Sequence, residues 1–326
     1  MILIRVDIGG EYGLGHGTRM VAVAKELSKL GSDVQFITRQ ARTQQWVRQQ
    51  GFASACDVVS DEHSFLLSQM AQHDHATLVL DRKDYYEAWQ FKELRQKGAV
   101  IRIDHPNAEP DTADLLIIPN MHQPAMVVER LANDFGEHLL IGADYTILGF
   151  SVVRWAVERE LSLVFFAGGS DPRHILSDMY SATRDFDLPG AQKVFAVGSL
   201  ASKLSLDPPV PDTIITGFHP ALLRKAALAV GPLGTTVYEA MHFGTPVLMF
   251  PGIPSDGDCV EALEQATDGA VMALSTSPKI QREELCQGIR ELWHDRERLA
   301  WIGHQTRKMI DGQGARRAAE AIAGLA

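Results

Sequence analysis

Residues 13–19 read Gly13-Leu14-Gly15-His16-Gly17-Thr18-Arg19. They follow an apolar run, residues 1–6, that ends at Asp7, and they lead into an apolar-periodic helix over residues 20–30. The turn sets an imidazole at a helix N-terminus, where backbone N–H groups and the positive end of the helix dipole attract anions. A titratable group beside an anion site points to chemistry on a phosphorylated molecule. The plainer reading, a tight strand-to-helix turn with His16 on the surface, stands beside it.

The order seen at this turn repeats along the chain. In the first half, strand-like runs at 2–6, 34–38, 77–80, 100–103 and 115–118 alternate with helical patterns near 19–30, 43–50, 65–72 and 89–97. The second half has strands at 161–166, 193–197, 213–216, 228–230, 246–250 and 270–273, with helices near 175–183, 220–225, 236–243, 259–265 and 282–293. Short apolar strands separated by helices form parallel sheets covered on both faces. The expected fold class is therefore α/β, with two doubly wound Rossmann-like domains, 1–150 and 151–326, meeting near residues 149–158. A last helix, 314–323, is rich in Ala and Arg and packs on the body of the protein.

With 326 residues, 45% of them hydrophobic and 22% charged, the chain is long enough for about two domains and can bury a large core. It carries no secretory signal at its start and no run of about 18 apolar residues that would span a bilayer. Cys56, Cys259 and Cys286 are odd in number and far apart, which fits reduced thiols in a cytoplasm. A formal net charge of −10 argues against nucleic acid or an anionic membrane as the main partner.

Ligands of doubly wound sheets bind outside the carboxyl ends of the strands. Three strands of the first half deliver an aspartate there: Asp7, Asp81 and Asp104. With His16 they are candidates to line one wall, joined by Tyr85 and Tyr86, which are equally packing residues; each carboxylate alone reads more readily as a helix cap or a turn residue than as a site residue. In the second half, Gly168-Gly169-Ser170-Asp171-Pro172 follows a strand, and Gly234-Thr235-Thr236 opens a helix that carries Glu239 one turn in. That helix start offers free N–H groups and two hydroxyls to a diphosphate, and Glu239 an acceptor for ribose hydroxyls. Its plainer reading is a well-capped helix with an exposed glutamate. For metal, only His73-Asp74-His75, Asp104-His105 and Asp256-Gly257-Asp258 are dense enough to consider; as ordinary turn and helix-end residues they support neither a metal ion nor a cofactor.

The order of these parts resembles the GT-B sugar-nucleotide family. The likeness is greatest to its pseudaminic-acid-pathway branch of UDP-sugar hydrolases and to the related spore-coat polysaccharide proteins. It rests on Arg5-Val6-Asp7, Gly13-Leu14-Gly15-His16 with Arg19, Ile103-Asp104, Ala113-Asp114-Leu115-Leu116 with Asn120, Gly142-Ala143-Asp144-Tyr145, Gly168 to Pro172, and Gly234-Thr235-Thr236 with Glu239. The chain departs from the pattern at Pro254-Ser255-Asp256-Gly257-Asp258 and at Gly149, where an arginine is usual.

The resemblance implies two domains facing a cleft, a nucleoside-diphosphate amino sugar as substrate with UDP as the nucleotide, and His16 as the base that activates water. Asp7 joins His16 as a catalytic candidate; Gly15, Arg19, Asp81, Asp104, Gly169, Ser170, Gly234, Thr235, Thr236 and Glu239 are the substrate-binding candidates. A glycosyltransferase would use the same donor, and a non-catalytic sugar-nucleotide-binding protein the same pockets. An NADP-dependent oxidoreductase is a further alternative: the G-x-G-x-x-G pattern starts at Gly13 and Gly15 but has Thr18 for its third glycine, and Arg39 follows the second strand.

Overall fold

The computed structural model describes residues 1–9, 13–58, 61–81, 86–150, 159–201 and 212–326. Tyr85 and most of the expected domain boundary at 149–158 lie outside these residues. The chain divides into two compact units. The first comprises Met1–Met121, Ala125–Ser151 and Gly312–Ala326; the second comprises His122–Pro124 and Val152–Asp311.

In the first unit the strands are β1 (Ile2–Arg5), β2 (Val34–Thr38), β3 (Ala53–Cys56), β4 (Thr77–Leu80), β5 (Val100–Ile103), β6 (Leu115–Ile118) and β7 (Leu139–Ile141). They form one parallel sheet in the order β3-β2-β1-β4-β5-β6-β7. The strand order reverses between β1 and β4, which makes their carboxyl ends the switch point where a ligand crevice opens. Arg5 pairs with Ile37 on one side and Leu80 on the other, so three strands end level there.

Helices α1 (Gly15–Lys29), α2 (Ala41–Gln49), α3 (Glu62–Met70), α4 (Ala88–Arg95) and α5 (Ala125–Phe135) cover the sheet. Side chains alternate across each strand, and this decides which core each strand residue joins. Ile2, Ile4 and Val6 pack with Met20, Val23, Ala24 and Leu27 of α1. Leu3, Leu78 and Leu80 pack on the other side with Leu66 and Met70 of α3 and Phe91 and Leu94 of α4.

Helix α1 begins at Gly15, five residues before the apolar periodicity starts at Met20, so His16 sits in its first turn and not in a turn ahead of it. The glycines hide this start because they have poor helix propensity. Gly17 is needed for close packing: a Cβ there would lie 2.4 Å from Ile8 Cγ2 and 3.0 Å from the Trp46 ring.

The second unit repeats the scheme with β8 (Ser162–Phe166), β9 (Gln192–Val197), β10 (Thr213–Gly217), β11 (Leu228–Pro232), β12 (Val247–Phe250) and β13 (Met272–Ala273). Its parallel sheet has the order β10-β9-β8-β11-β12-β13, with the switch point between β8 and β11. Its helices are α6 (Ile175–Thr183), α7 (Pro220–Lys225), α8 (Thr235–Phe243), α9 (Gly257–Ala266), α10 (Arg282–His294) and α11 (Arg296–Met309). Leu163 and Phe165 of β8 pack with α6, α10 and α11 through Leu176, Met179, Leu285, Ile289 and Ile302.

The tail follows a different course from the sequence-based division, which assigns everything after residue 150 to the second half. Helix α12 (Gly314–Ala323) packs in the first unit, where Ala318, Ala319 and Ile322 join the core under α1. Gly314 allows the contact, since a Cβ there would lie 2.1 Å from the Thr146 carbonyl oxygen, and Arg317 Nη1 donates to the Asp144 carbonyl at 2.9 Å. The Gly142 to Tyr145 segment thus receives the tail. No helix among the described residues is long and apolar enough to cross a membrane.

Candidate functional site

His16 and Arg19 are three residues apart on α1 and therefore share one face. Both reach Asp81, which follows β4 and is fully buried. Arg19 grips the carboxylate with two nitrogens: Nε donates to Oδ2 at 2.7 Å, and Nη2 donates to Oδ1. His16 Nδ1 lies 2.8 Å from the same Oδ1. Arg19 Nη1 donates to Asp104 Oδ2 at 3.0 Å, and Asn120 Nδ2 donates to Asp104 Oδ1 at 2.9 Å.

Electrostatics keep Asp81 ionised and Arg19 charged. Burial by itself would raise the Asp81 carboxyl, but the charges of Arg19 and His16 outweigh it and hold the group well below the usual carboxylate range. Burial likewise opposes the Arg19 charge, and Asp81 and Asp104 more than restore it. An ionised Asp81 can only accept, so Nδ1 carries the hydrogen of the His16–Asp81 bond while Arg19 Nη2, 3.0 Å from Nδ1, gives its own hydrogen to Asp81; in the neutral ring the lone pair is then on Nε2. The His16 side chain is 22% exposed, unlike its buried partners. Among the described residues nothing bonds to Nε2.

Asp7 is placed elsewhere. Arg5 Nη2 donates to its Oδ2 at 2.6 Å and the Arg39 backbone N–H to its Oδ1 at 3.1 Å. Arg5 Nε also donates to Glu62 at 2.8 Å, and Tyr86 Oη donates to the same Glu62 oxygen at 2.5 Å. Of the three strand-end aspartates, Asp81 and Asp104 join the His16 cluster, and Asp7 joins an Arg5 network on the other side of the sheet. His105, beside Asp104, is buried and meets Arg102; burial, then Arg102, pushes its imidazole down to about 3, so it stays neutral.

In the second unit both glycine-rich loops flank the switch point. After β8, the Gly169 carbonyl accepts from Leu200 N–H at 2.9 Å, and Asp171 caps α6 by accepting from the Ile175 and Leu176 N–H groups at 2.8 and 3.1 Å. After β11, α8 starts at Thr235 with Gly234 as its N-cap and with no side-chain cap, so its first N–H groups point outward unclaimed by a capping side chain. Glu239 lies one turn on and is 8% exposed, not the exposed glutamate of the plainer reading. Its Oε2 has no hydrogen-bond partner, and burial pushes the carboxyl up to about 8.

A buried acid with a raised folded-state pKa stabilises the protein fully below its unfolded value and loses that contribution as pH rises through the folded value. Glu239 should therefore cost the free protein stability between about pH 4.5 and about pH 8, on the order of a few kcal/mol. Thermal midpoints measured across that window are expected to fall with pH in the wild type and to flatten in Glu239→Gln. Parallel profiles for the two proteins would contradict the buried, unpaired carboxyl.

No family model and no curated protein matches the chain. Solved structures do. The Acinetobacter baumannii MurG matches with a TM-score of 0.69 at 14% identity, covering 99% of each chain. The S. aureus MnaA–UDP co-structure gives 0.66 at 12% identity, covering 98% of this chain and 95% of that one. The calicheamicin glycosyltransferase CalG4 gives 0.62 at 14% identity, covering 99% and 98%. The fold is GT-B.

Two departures of this GT-B chain from the sequence pattern have local explanations. A Cβ at Gly149 would lie 2.7 Å from both Cβ and Oγ1 of Thr18, so an arginine there requires α1 or its neighbour to move. The Pro254–Asp256 segment is a 3-10 turn closed by Asp256 Oδ2 accepting from the Ile253 N–H at 3.2 Å, and α9 starts directly after it.

Proposed function

We propose that this GT-B chain is an enzyme acting on a nucleoside-diphosphate sugar. The observation that carries the reading is the His16–Asp81 pair: a partly exposed imidazole held through Nδ1 by a buried, ionised carboxylate. That is the tautomer a general base requires. The nucleotide falls to the second unit. Gly234, Thr235 and Thr236 hold the diphosphate with N–H groups and hydroxyls, Gly169 and Ser170 line the neighbouring loop, and Glu239 accepts from the ribose hydroxyls, which answers its missing partner. UDP is the expected nucleotide, in keeping with the co-structure among the solved neighbours and with the UDP-sugar hydrolase branch that the sequence resembles.

In the first reading the nucleophile is water. It attacks the anomeric carbon as His16 Nε2 takes its proton. The bond from that carbon to the diphosphate oxygen breaks, and its electron pair leaves with the nucleoside diphosphate. Gly15 and the helix start of α1 keep His16 in place, Arg19, itself held by Asp104, grips Asp81, and Asp7 supports the strand end through Arg5. The α8 N-terminus stabilises the charge growing on the leaving group. A second reading, glycosyl transfer to an acceptor hydroxyl by the same base, is favoured by the glycosyltransferase among the matching structures. Both readings go with a cytoplasmic enzyme, to which the three free thiols are suited.

A panel of nucleotide sugars, assayed with and without acceptor alcohols, separates the two. Free sugar formed in step with nucleoside diphosphate and without acceptor supports hydrolysis. Diphosphate release that needs an acceptor supports transfer. Binding of NADPH and of no nucleotide sugar would overturn both. Within the same reading, Glu239→Ala is expected to weaken binding of the free nucleoside diphosphate by about 10-fold, the effect of losing a buried hydrogen-bond partner. Calorimetry checks it; unchanged affinity would remove Glu239 from the site.

A further inference from the structure

The second unit has a cavity of about 410 Å³ that the proposed reaction does not use. It opens at residues 159–161, 227 and 244–246, which immediately precede β8, β11 and β12. Because the sheet is parallel, this is the opposite edge from the loops at 168–171 and 234–236. One face of α11 closes it, with Arg296, Ala300, His304 and Arg307 recurring at three- and four-residue spacing.

Its charge is one-sided. Among the described residues, Arg159, Arg296, Arg307 and His304 line the cavity with one carboxylate, Glu160, which is already taken by Lys225 Nζ at 2.7 Å. Arg159 gives its hydrogen bonds to uncharged acceptors, the carbonyls of Ala226, Phe243 and Gly244 and the Thr245 hydroxyl. Burial, then the neighbouring Arg307, pushes its guanidinium down to about 10. Arg296 stacks on the Trp293 ring, 4.8 Å from its centroid, and makes no ion pair among the described residues. Capping the carbonyl end of α8 accounts for Arg159 and Arg307, since Arg307 Nη2 also donates to Phe243 O at 2.8 Å. It leaves Arg296 and His304, both exposed to solvent on the cavity side of α11, without a structural task.

We propose that this cavity binds a small phosphate-bearing molecule at a site separate from that of the sugar nucleotide. Guanidinium groups present paired N–H donors that match phosphate oxygens, and Leu161, Pro246 and Leu299 offer an apolar floor to the rest of the ligand. The inference does not depend on the proposed reaction.

Titration calorimetry of the full chain with inorganic phosphate and with pyrophosphate tests it, run with and without saturating UDP so that an anion held at residues 234–236 is displaced. The wild type is expected to bind in both conditions. Binding should weaken by about tenfold or more in Arg296→Ala/His304→Ala, with an unchanged thermal midpoint. Ala300→Glu, which sets a carboxylate in the cavity without removing any contact, should weaken it as much. Equal affinity in the wild type and both variants, or no binding by the wild type up to about 10 mM of either anion, overturns the proposal.

Discussion

Replacing His16 by asparagine is expected to lower turnover by about 10²-fold or more while leaving nucleotide affinity unchanged. The reasoning is local. Asparagine is of similar size and can still donate to Asp81, so the ion cluster below it survives, but it offers no basic nitrogen in place of Nε2. The measurement is steady-state release of nucleoside diphosphate, with calorimetric affinity and the thermal midpoint as controls. Wild-type turnover in the variant would reject the base. A fall in turnover matched by a large fall in stability would instead make His16 a residue that holds the start of α1.

The larger effect on stability belongs to Asp81. Asp81→Asn removes the charge that Arg19 and His16 share at a fully buried position. Breaking one side of a buried ion pair costs about 3–5 kcal/mol, because the other charge is left without compensation. Asp104 still faces Arg19 at 3.0 Å, so the lower end of that range applies. The thermal midpoint should fall by roughly 10 °C, and turnover should fall as well because His16 loses its anchor. Adding Arg19→Gln should recover part of the stability and none of the turnover, and the double-mutant cycle gives the coupling directly. Strictly additive losses would mean that the pair is not coupled. Acid should mimic the single variant: the Asp81 carboxyl is depressed in the folded state, so its stabilisation is present above the unfolded value near 3.9 and is lost as pH falls below it.

Much of this site is legible in the sequence, and the rest is hidden for identifiable reasons. The βα alternation marks both sheets, and β2, β4, β5 and β6 begin and end with their apolar runs. Strand β3, Ala53–Cys56, escapes because its Ala-Ser-Ala-Cys edge has little apolar content, and α11 because charged residues obscure its buried Leu299 and Ile302. Asp7, Asp81 and Asp104 look alike in the sequence, but strand alternation already separates two of them. Asp7 shares parity with Leu3 and Arg5, which face away from α1; Asp81 shares parity with Val79, which faces it. Asp104 is of the wrong parity to meet Arg19, and its left-handed backbone, φ 63°, breaks the alternation. No local pattern announces that reversal. The Arg5–Glu62–Tyr86 network had one signal, a charged residue inside the apolar run Ile2–Val6, but its partners are far off in the chain.

The docking of α12 in the first unit has a consequence for how the protein is made. The helix that carries His16 and Arg19 is finished by residues translated long after it, since Ala318, Ala319 and Ile322 complete the core beneath it. Residues 152–311, nearly all of the second unit, are translated in between. At about 5–20 residues per second this interval is roughly ten to thirty seconds. Throughout it the nascent chain exposes an apolar strip on α1 that α12 later covers.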